Sequence, residues 1–236
     1  MNNLPASTPI PIVYEHADFV VIDKPAGIVM HDAKCGIISL FSSQHPDIKW
    51  HLVHRLDTET SGCLLLAKSS RAAAAISTLF AERAINKYYL AISDKLPKKK
   101  QGLVKGDMKK ARDGKLMLTN FNENPAITQF FSTSLKAGAR AFICKPHTGK
   151  THQIRVALKS LGSPILGDSR YGKSAADRMY LHSFALCFSY QGENIEVYCP
   201  PVKGTLFTDL TWPESWSSPQ TLPWPTVKAF RINEQA

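Results

Sequence analysis

The residues best suited to chemistry stand together in HLVHRLDTETSGCLLLAK, positions 51–68, which holds His54, Arg55 and Asp57 side by side. A polar turn, Thr58 to Gly62, leads from them into the apolar run Cys63 to Ala67, whose length predicts a buried strand. A carboxylate in a loop tied so closely to the core is costly unless it is paired. Asp57 next to an Arg therefore leaves two readings open: a structural ion pair at a strand end, or a site that needs a negative charge. His147 and His152 form a second candidate group. They have no HExxH context and no carboxylate at ligand spacing, which argues against a zinc hydrolase and predicts no metal.

The whole composition narrows the partner. Twenty-nine Lys and Arg stand against 19 Asp and Glu, a formal charge of +10 over 236 residues. Such an excess favours a polyanion held through counterion release. An anionic membrane surface is the competing partner, but no basic amphipathic helix and no long apolar segment stands out. Hydrophobic residues make up 44% of the chain, enough for a real core. The five cysteines, Cys35, Cys63, Cys144, Cys187 and Cys199, show no CxxC pair and no zinc-like spacing. They read as reduced thiols, and with no secretory signature at the N-terminus the expected compartment is cytoplasmic.

Strands are the main elements available to position the site. Phe19 to Ile22 is a β-rich run broken by Pro25 and Gly27, and Lys24 reads as a solvated charge at its end. Ser69 to Arg83 is a helix capped by Ser69 or Ser70, with Ile76, Leu79 and Phe80 at helical spacing. Ile85 to Ser93 returns to strand. Residues 94–115 carry nine basic and three acidic residues with glycines at turn positions, which predicts an extended hairpin. Such a hairpin would lie along a phosphate backbone through Lys98, Lys99, Lys100, Lys109 and Lys110, or else be a solvated loop. Further strands are expected in AITQFFSTS, RAFICKPHTG, Arg178 to Tyr190 and Asn194 to Pro201, with a helix over 151–161. Residues 1–11 read as a loose arm, 12–210 as one domain and 211–236 as a tail wrapping the surface.

HRLDTETSG followed by LLLAK resembles the signature of the RluA-type branch of the pseudouridine synthases, which isomerise uridine in RNA to its C-glycoside. Four further stretches resemble the same family: the Lys-Pro-Ala-Gly turn at Lys24, the pattern Lys87, Tyr89, Ala91, the run Gly149 to Tyr171-Gly172, and the Leu-His segment in Arg178 to Tyr190. Lys150 stands where Arg is usual, which keeps the charge and loses bidentate geometry. The resemblance spans roughly residues 12–208 and implies an α+β catalytic domain around a long, mostly antiparallel mixed sheet, with flanking helices and a central RNA-binding cleft.

The resemblance also assigns roles. Asp57 becomes the catalytic carboxylate, acting at C1′ either as a nucleophile or as a base on the sugar. Arg155 becomes its cationic partner, and Arg55 the group that fills the space left by a flipped uridine. Tyr89 offers a ring for the extruded base, and Ile154 lines the pocket unless it is plain core. No cofactor is needed, because the reaction is an internal rearrangement. The expectation is a stand-alone, monomeric isomerase without an obligate protein partner, acting on a ribosomal or transfer RNA stem-loop. The rival is an RNA-binding protein that keeps the fold and lacks the chemistry; the joint presence of Asp57, Arg55, Tyr89 and Arg155 argues against it.

Overall fold

The computed structural model of the chain describes residues 9–111, 113–135 and 138–227. Residues 1–8, most of the expected arm, and 228–236, the end of the expected tail, lie outside the described residues.

In β2 (Phe19–Lys24) and β4 (Ser61–Ala67) successive side chains point to opposite faces, and both faces are covered. Phe19, Val21, Cys63 and Leu65 pack against Ala72 and Ile76 of α2 (Ser70–Ala81). Val20, Ile22, Leu64 and Leu66 join Ile37 and Phe41 of α1 (Ile37–Gln44) in the other core. Burial on both faces explains why these strands read as unbroken apolar runs. Ser69 caps α2, its hydroxyl accepting from the Ala72 amide at 3.2 Å.

Among the described residues ten strands form one sheet. Its path runs β1 (Ile12–Glu15), β2, β4, β11 (Leu181–Tyr190), β5 (Asn86–Ser93), β10 (Arg140–Pro146), β9 (Ala126–Ser134) and β6 (Gln101–Gly106). Two further strands, β3 (His51–Leu52) and β12 (Glu193–Tyr198), pair with β4 and β11. All these pairings are antiparallel except β4 with β11, where Ser61 and Gly62 lie beside His182 and Ser183. Gly62 has φ +102°, and a Cβ there would stand 2.2 Å from the Ser183 carbonyl oxygen. Only glycine lets the parallel junction close. The expected mixed α+β architecture, mostly antiparallel, is the one the chain adopts.

The charged stretch 94–115 departs from the expected single hairpin. Residues 101–106 are the edge strand β6, paired with β9, because Val104 and Gly106 turn inward while Leu103 and Lys105 stay out. A separate hairpin follows, β7 (Met108–Lys110) with β8 (Leu116–Leu118). Charge composition did not reveal that two elements share the stretch. After Leu210 the chain stays against the body: Trp216 is buried, and the ring of Trp224 lies 5.9 Å from that of Tyr88 and 4.9 Å from that of Phe131. Gln129 Nε2 donates to the Pro225 carbonyl. Tyr88 thus faces the tail and Tyr89, its neighbour, the opposite side of the sheet. No described helix is long and apolar enough to cross a membrane.

Candidate active site

Asp57 sits in the loop between β3 and β4, and that loop is fastened from below by Lys24. The sequence expectation of a solvated lysine is wrong: Lys24 is fully buried. Its ammonium donates to the carbonyls of Pro25 at 2.9 Å, Thr58 at 3.0 Å and Thr60 at 3.0 Å. Three acceptors match the three donors of the group. Burial pulls its pKa down to about 7, against the pull of Glu59 and Asp57. The amide of Gly27 also donates to Thr58 O, at 2.8 Å. The Lys-Pro-Ala-Gly turn therefore holds the backbone that carries Asp57.

The opposing wall begins with α3 (Gln153–Ser160), shorter than the 151–161 expected because His152, at φ +56°, turns the chain into it. Gln153 anchors the start of α3. Its Nε2 donates to Ile127 O at 2.9 Å and Thr128 Oγ1 at 3.0 Å, while its Oε1 accepts from Thr148 Oγ1 at 2.6 Å. This places Arg155 toward the cleft. Arg155 Nε and Nη2 each donate to Asp168 at 2.8 Å, and Nη1 donates to Asp57 Oδ2 at 3.2 Å. Asp168 Oδ1 also accepts from the amides of Arg170 and Tyr171, at 2.9 and 3.0 Å.

One guanidinium is therefore shared by two carboxylates and grips Asp168 with two parallel N–H donors, a planar fork that lysine cannot supply. Burial alone would raise the pKa of Asp168, but the hydrogen bonds and charge of Arg155 outweigh it and hold the carboxyl below its ordinary value. Burial works against the charged form of Arg155 as well, and Asp168 followed by Asp57 more than reverses it. The Arg155 guanidinium also stands 5.1 Å from the centre of the Tyr171 ring. The Tyr171 hydroxyl lies 2.9 Å from His152 Nδ1 and accepts from the Leu116 amide at 3.2 Å, tying the β7–β8 hairpin to the cleft wall.

These walls enclose a cleft of about 430 Å³ lined by Arg55, Asp57, Tyr89, Ile154 and Arg155 among others. The structure brings all five expected residues of the cleft together. Tyr89 and Ile154 are buried at its floor, whereas Arg55 is exposed. Burial raises the pKa of Tyr89 further above its ordinary value, so its phenol, already neutral near pH 7, stays protonated well into the alkaline range. Lys150 also lines the cleft, its ammonium donating to Asn124 Oδ1 at 2.7 Å.

The five expected backbone lysines are not part of this lining. Lys98, Lys99, Lys100, Lys109 and Lys110 are exposed. The amide of Lys98 donates to Leu161 O, beyond the end of α3. Six residues separate that point from Arg155, about 9 Å along a helix axis. Lys109 lies on the hairpin, its ammonium 4.5 Å from the centre of the Phe121 ring. Sequence reasoning placed Asp168, Tyr171 and Lys87 inside motifs without giving them a task. The signal that was available for Asp168 was its acidity among residues otherwise suited to turns.

Comparison with known proteins agrees with this geometry. A sequence model of the RNA pseudouridylate synthase family matches residues 18–160. The chain is 52% identical over 199 residues to an uncharacterized RNA pseudouridine synthase of Haemophilus influenzae, covering 83% of this chain and 89% of that protein. It is 35% identical over 187 residues to the ribosomal large subunit pseudouridine synthase C of Rickettsia bellii, covering 73% of this chain but only 61% of that protein. The fold matches human RNA pseudouridylate synthase domain containing 1 with a TM-score of 0.78 over 96% of this chain and 100% of that one, at 24% identity. The cleft, the family model and the 52% identical relative agree: this chain belongs to the RNA pseudouridylate synthases, isomerases that act on RNA.

Proposed function

We propose that Asp57 is the catalytic carboxylate of an RNA pseudouridine synthase that modifies a flipped uridine in a stem-loop of structured RNA. The observation that carries this reading is that Asp57 is the only carboxylate among the described residues lining the cleft. Isomerisation breaks the N1–C1′ bond, turns the uracil and joins C5 to C1′. A carboxylate at C1′ serves either route, attack on the anomeric carbon or proton removal from the sugar. Arg155 orients Asp57 through Nη1, and Asp168 orients Arg155. Tyr89, protonated and buried, presents its ring to the base, with Ile154 beside it. Arg55, exposed at the cleft, takes the place the uridine leaves in the stack.

The names of relatives such as the Rickettsia bellii protein favour ribosomal RNA of the large subunit over transfer RNA as the substrate. Five free cysteines support a reducing compartment, the cytoplasm. The test is pseudouridine mapping of total RNA from cells with and without the gene, followed by complementation with Asp57→Asn. The expected result is the loss of one or a few sites, restored by the native chain and not by the variant, whose RNA affinity stays within a few-fold. Restoration by Asp57→Asn would overturn the assignment. Arg55→Ala should lower turnover more than affinity on an RNA whose target is already unstacked; an equal fall in affinity would make Arg55 a phosphate ligand instead.

A further inference from the structure

We propose that Lys87 and Arg83, beside the ring of Phe80, form a subsite for a phosphodiester flanking the target uridine. The inference rests on the reading of the cleft as an RNA site and adds where its backbone is held.

Lys87 and Tyr89 lie two residues apart on β5 and point to the same face, about 6.6 Å from each other along the strand. Both line the cleft, together with Phe80 and Arg83 from the end of α2. A base against Tyr89 therefore brings its backbone within reach of the Lys87 side chain. The Phe80 ring is a fixed wall: it stacks on His54 at 4.5 Å with an interplanar angle of 21°, and His54 Nε2 accepts from the Leu65 amide at 2.9 Å. The Lys87 ammonium stands 5.9 Å from the centre of that ring.

Among the described residues no carboxylate pairs with Lys87. Burial, and then the charge of Arg83, lower its pKa. His54 and His147 sense its charge as well, and among the described residues none of these neighbours is acidic. A half-buried ammonium beside the guanidinium of Arg83, with the imidazoles of His54 and His147 neutral, is unfavourable in the free protein and is relieved by an anion. Arg83 is held in place by the end of α2: at φ +62° it closes the helix, its amide donating to Phe80 O at 3.2 Å and the amide of Ala84 to Leu79 O at 2.9 Å. A phosphodiester is the anion that the RNA substrate brings.

The test uses short fluorescent oligouridylates, one unmodified and others with a single neutral methylphosphonate linkage at successive positions. Affinity is measured against salt for the native chain, Lys87→Met, which keeps the stem over Phe80, and Lys87→Arg. Lys87→Met should lower the salt slope by about 0.7, the value for one phosphate contact on a single strand. It should also become indifferent to the one methylphosphonate that weakens the native chain, whereas Lys87→Arg keeps that sensitivity. On the unaltered protein, NMR titration of the Lys87 Cε and Nζ signals should show its pKa rising when the unmodified oligomer is added. A native slope in Lys87→Met, or a Lys87 pKa that the oligomer does not move, overturns the subsite while leaving pseudouridine formation by the native chain intact. If the native chain makes no pseudouridine in cells and binds no oligomer, the reading of the cleft falls and the subsite with it.

Discussion

The two halves of the cleft handle charge in opposite ways. On one side Arg155 is bonded to Asp57 and Asp168, and Asp168 takes two backbone amides in addition, so nearly every donor and acceptor is committed inside the protein. On the other, Lys87 meets Arg83, His54 and His147 without a carboxylate partner. The first half is preorganised, as a reacting centre must be if it is not to rearrange during the reaction. The second leaves positive potential for a polyanion to complete. A site that converts RNA needs both, and the proposed reading assigns chemistry and binding to different elements: the β3–β4 loop with α3 for one, the end of α2 with β5 for the other.

The contrast is broken most severely by Arg155→Met, which leaves Asp57 and buried Asp168 without their shared cation. Unfolding in urea should show a loss of about 3–5 kcal/mol, the range for removing one partner of a buried pair. Milder removal, Asp168→Asn, should keep the fold and RNA affinity but reduce single-turnover rates by about 10²-fold, since Arg155 would no longer hold its position. Unchanged turnover would show that Asp57 does not depend on this clamp.

A pH series sharpens the same contrast. His182, with Nδ1 at 2.7 Å from Ser61 Oγ and Nε2 at 2.6 Å from the Cys199 carbonyl, is buried, and its pKa is pushed down to about 4. Burial likewise lowers His54 to about 3 and His147 to about 4. Between those values and the unfolded value near 6.5 the unfolded chain binds more protons, so stability should fall as pH drops through that window. His182 alone accounts for about 3 kcal/mol across it. Melting of His182→Asn should depend less steeply on pH than melting of the native chain. A native chain with flat stability from pH 6.5 to 4 would mean that these rings stay accessible to protons.

Lys24→Met tests the floor beneath the Asp57 half. Removing the ammonium from the carbonyls of Pro25, Thr58 and Thr60, of which Thr58 keeps the Gly27 amide and Thr60 is buried, should cost about 1–3 kcal/mol and lower turnover with little change in RNA affinity. The smallest effect is expected outside both halves: neutralising Lys98, Lys99 and Lys100 should weaken all RNAs alike and lower the salt slope by about 0.7–0.9 per lost phosphate contact. Turnover at saturating RNA should not move. A slope that stays at its native value would assign these lysines to solvent.

The sequence by itself determined the candidate residues for chemistry and the type of most elements. HRLDTETSG and the run from Gly149 to Gly172 name their residues directly, and the apolar runs of β2 and β4 announce strands because burial on both faces removes polar alternation. Tertiary structure alone decided how those residues are paired. Lys24 reads as a strand-end charge until the Asp57 loop folds over it, since its acceptors at Thr58 and Thr60 lie 34 and 36 positions away. Asp168 is 13 residues from Arg155, and only the turn after α3 returns it to the guanidinium. The division of residues 101–118 between the main sheet and a second hairpin was likewise invisible, because β6 is specified by the strand it pairs with and not by its own composition. Side-chain type and local period are written in order along the chain, whereas hydrogen-bond partners and burial depend on which distant segments the topology brings together.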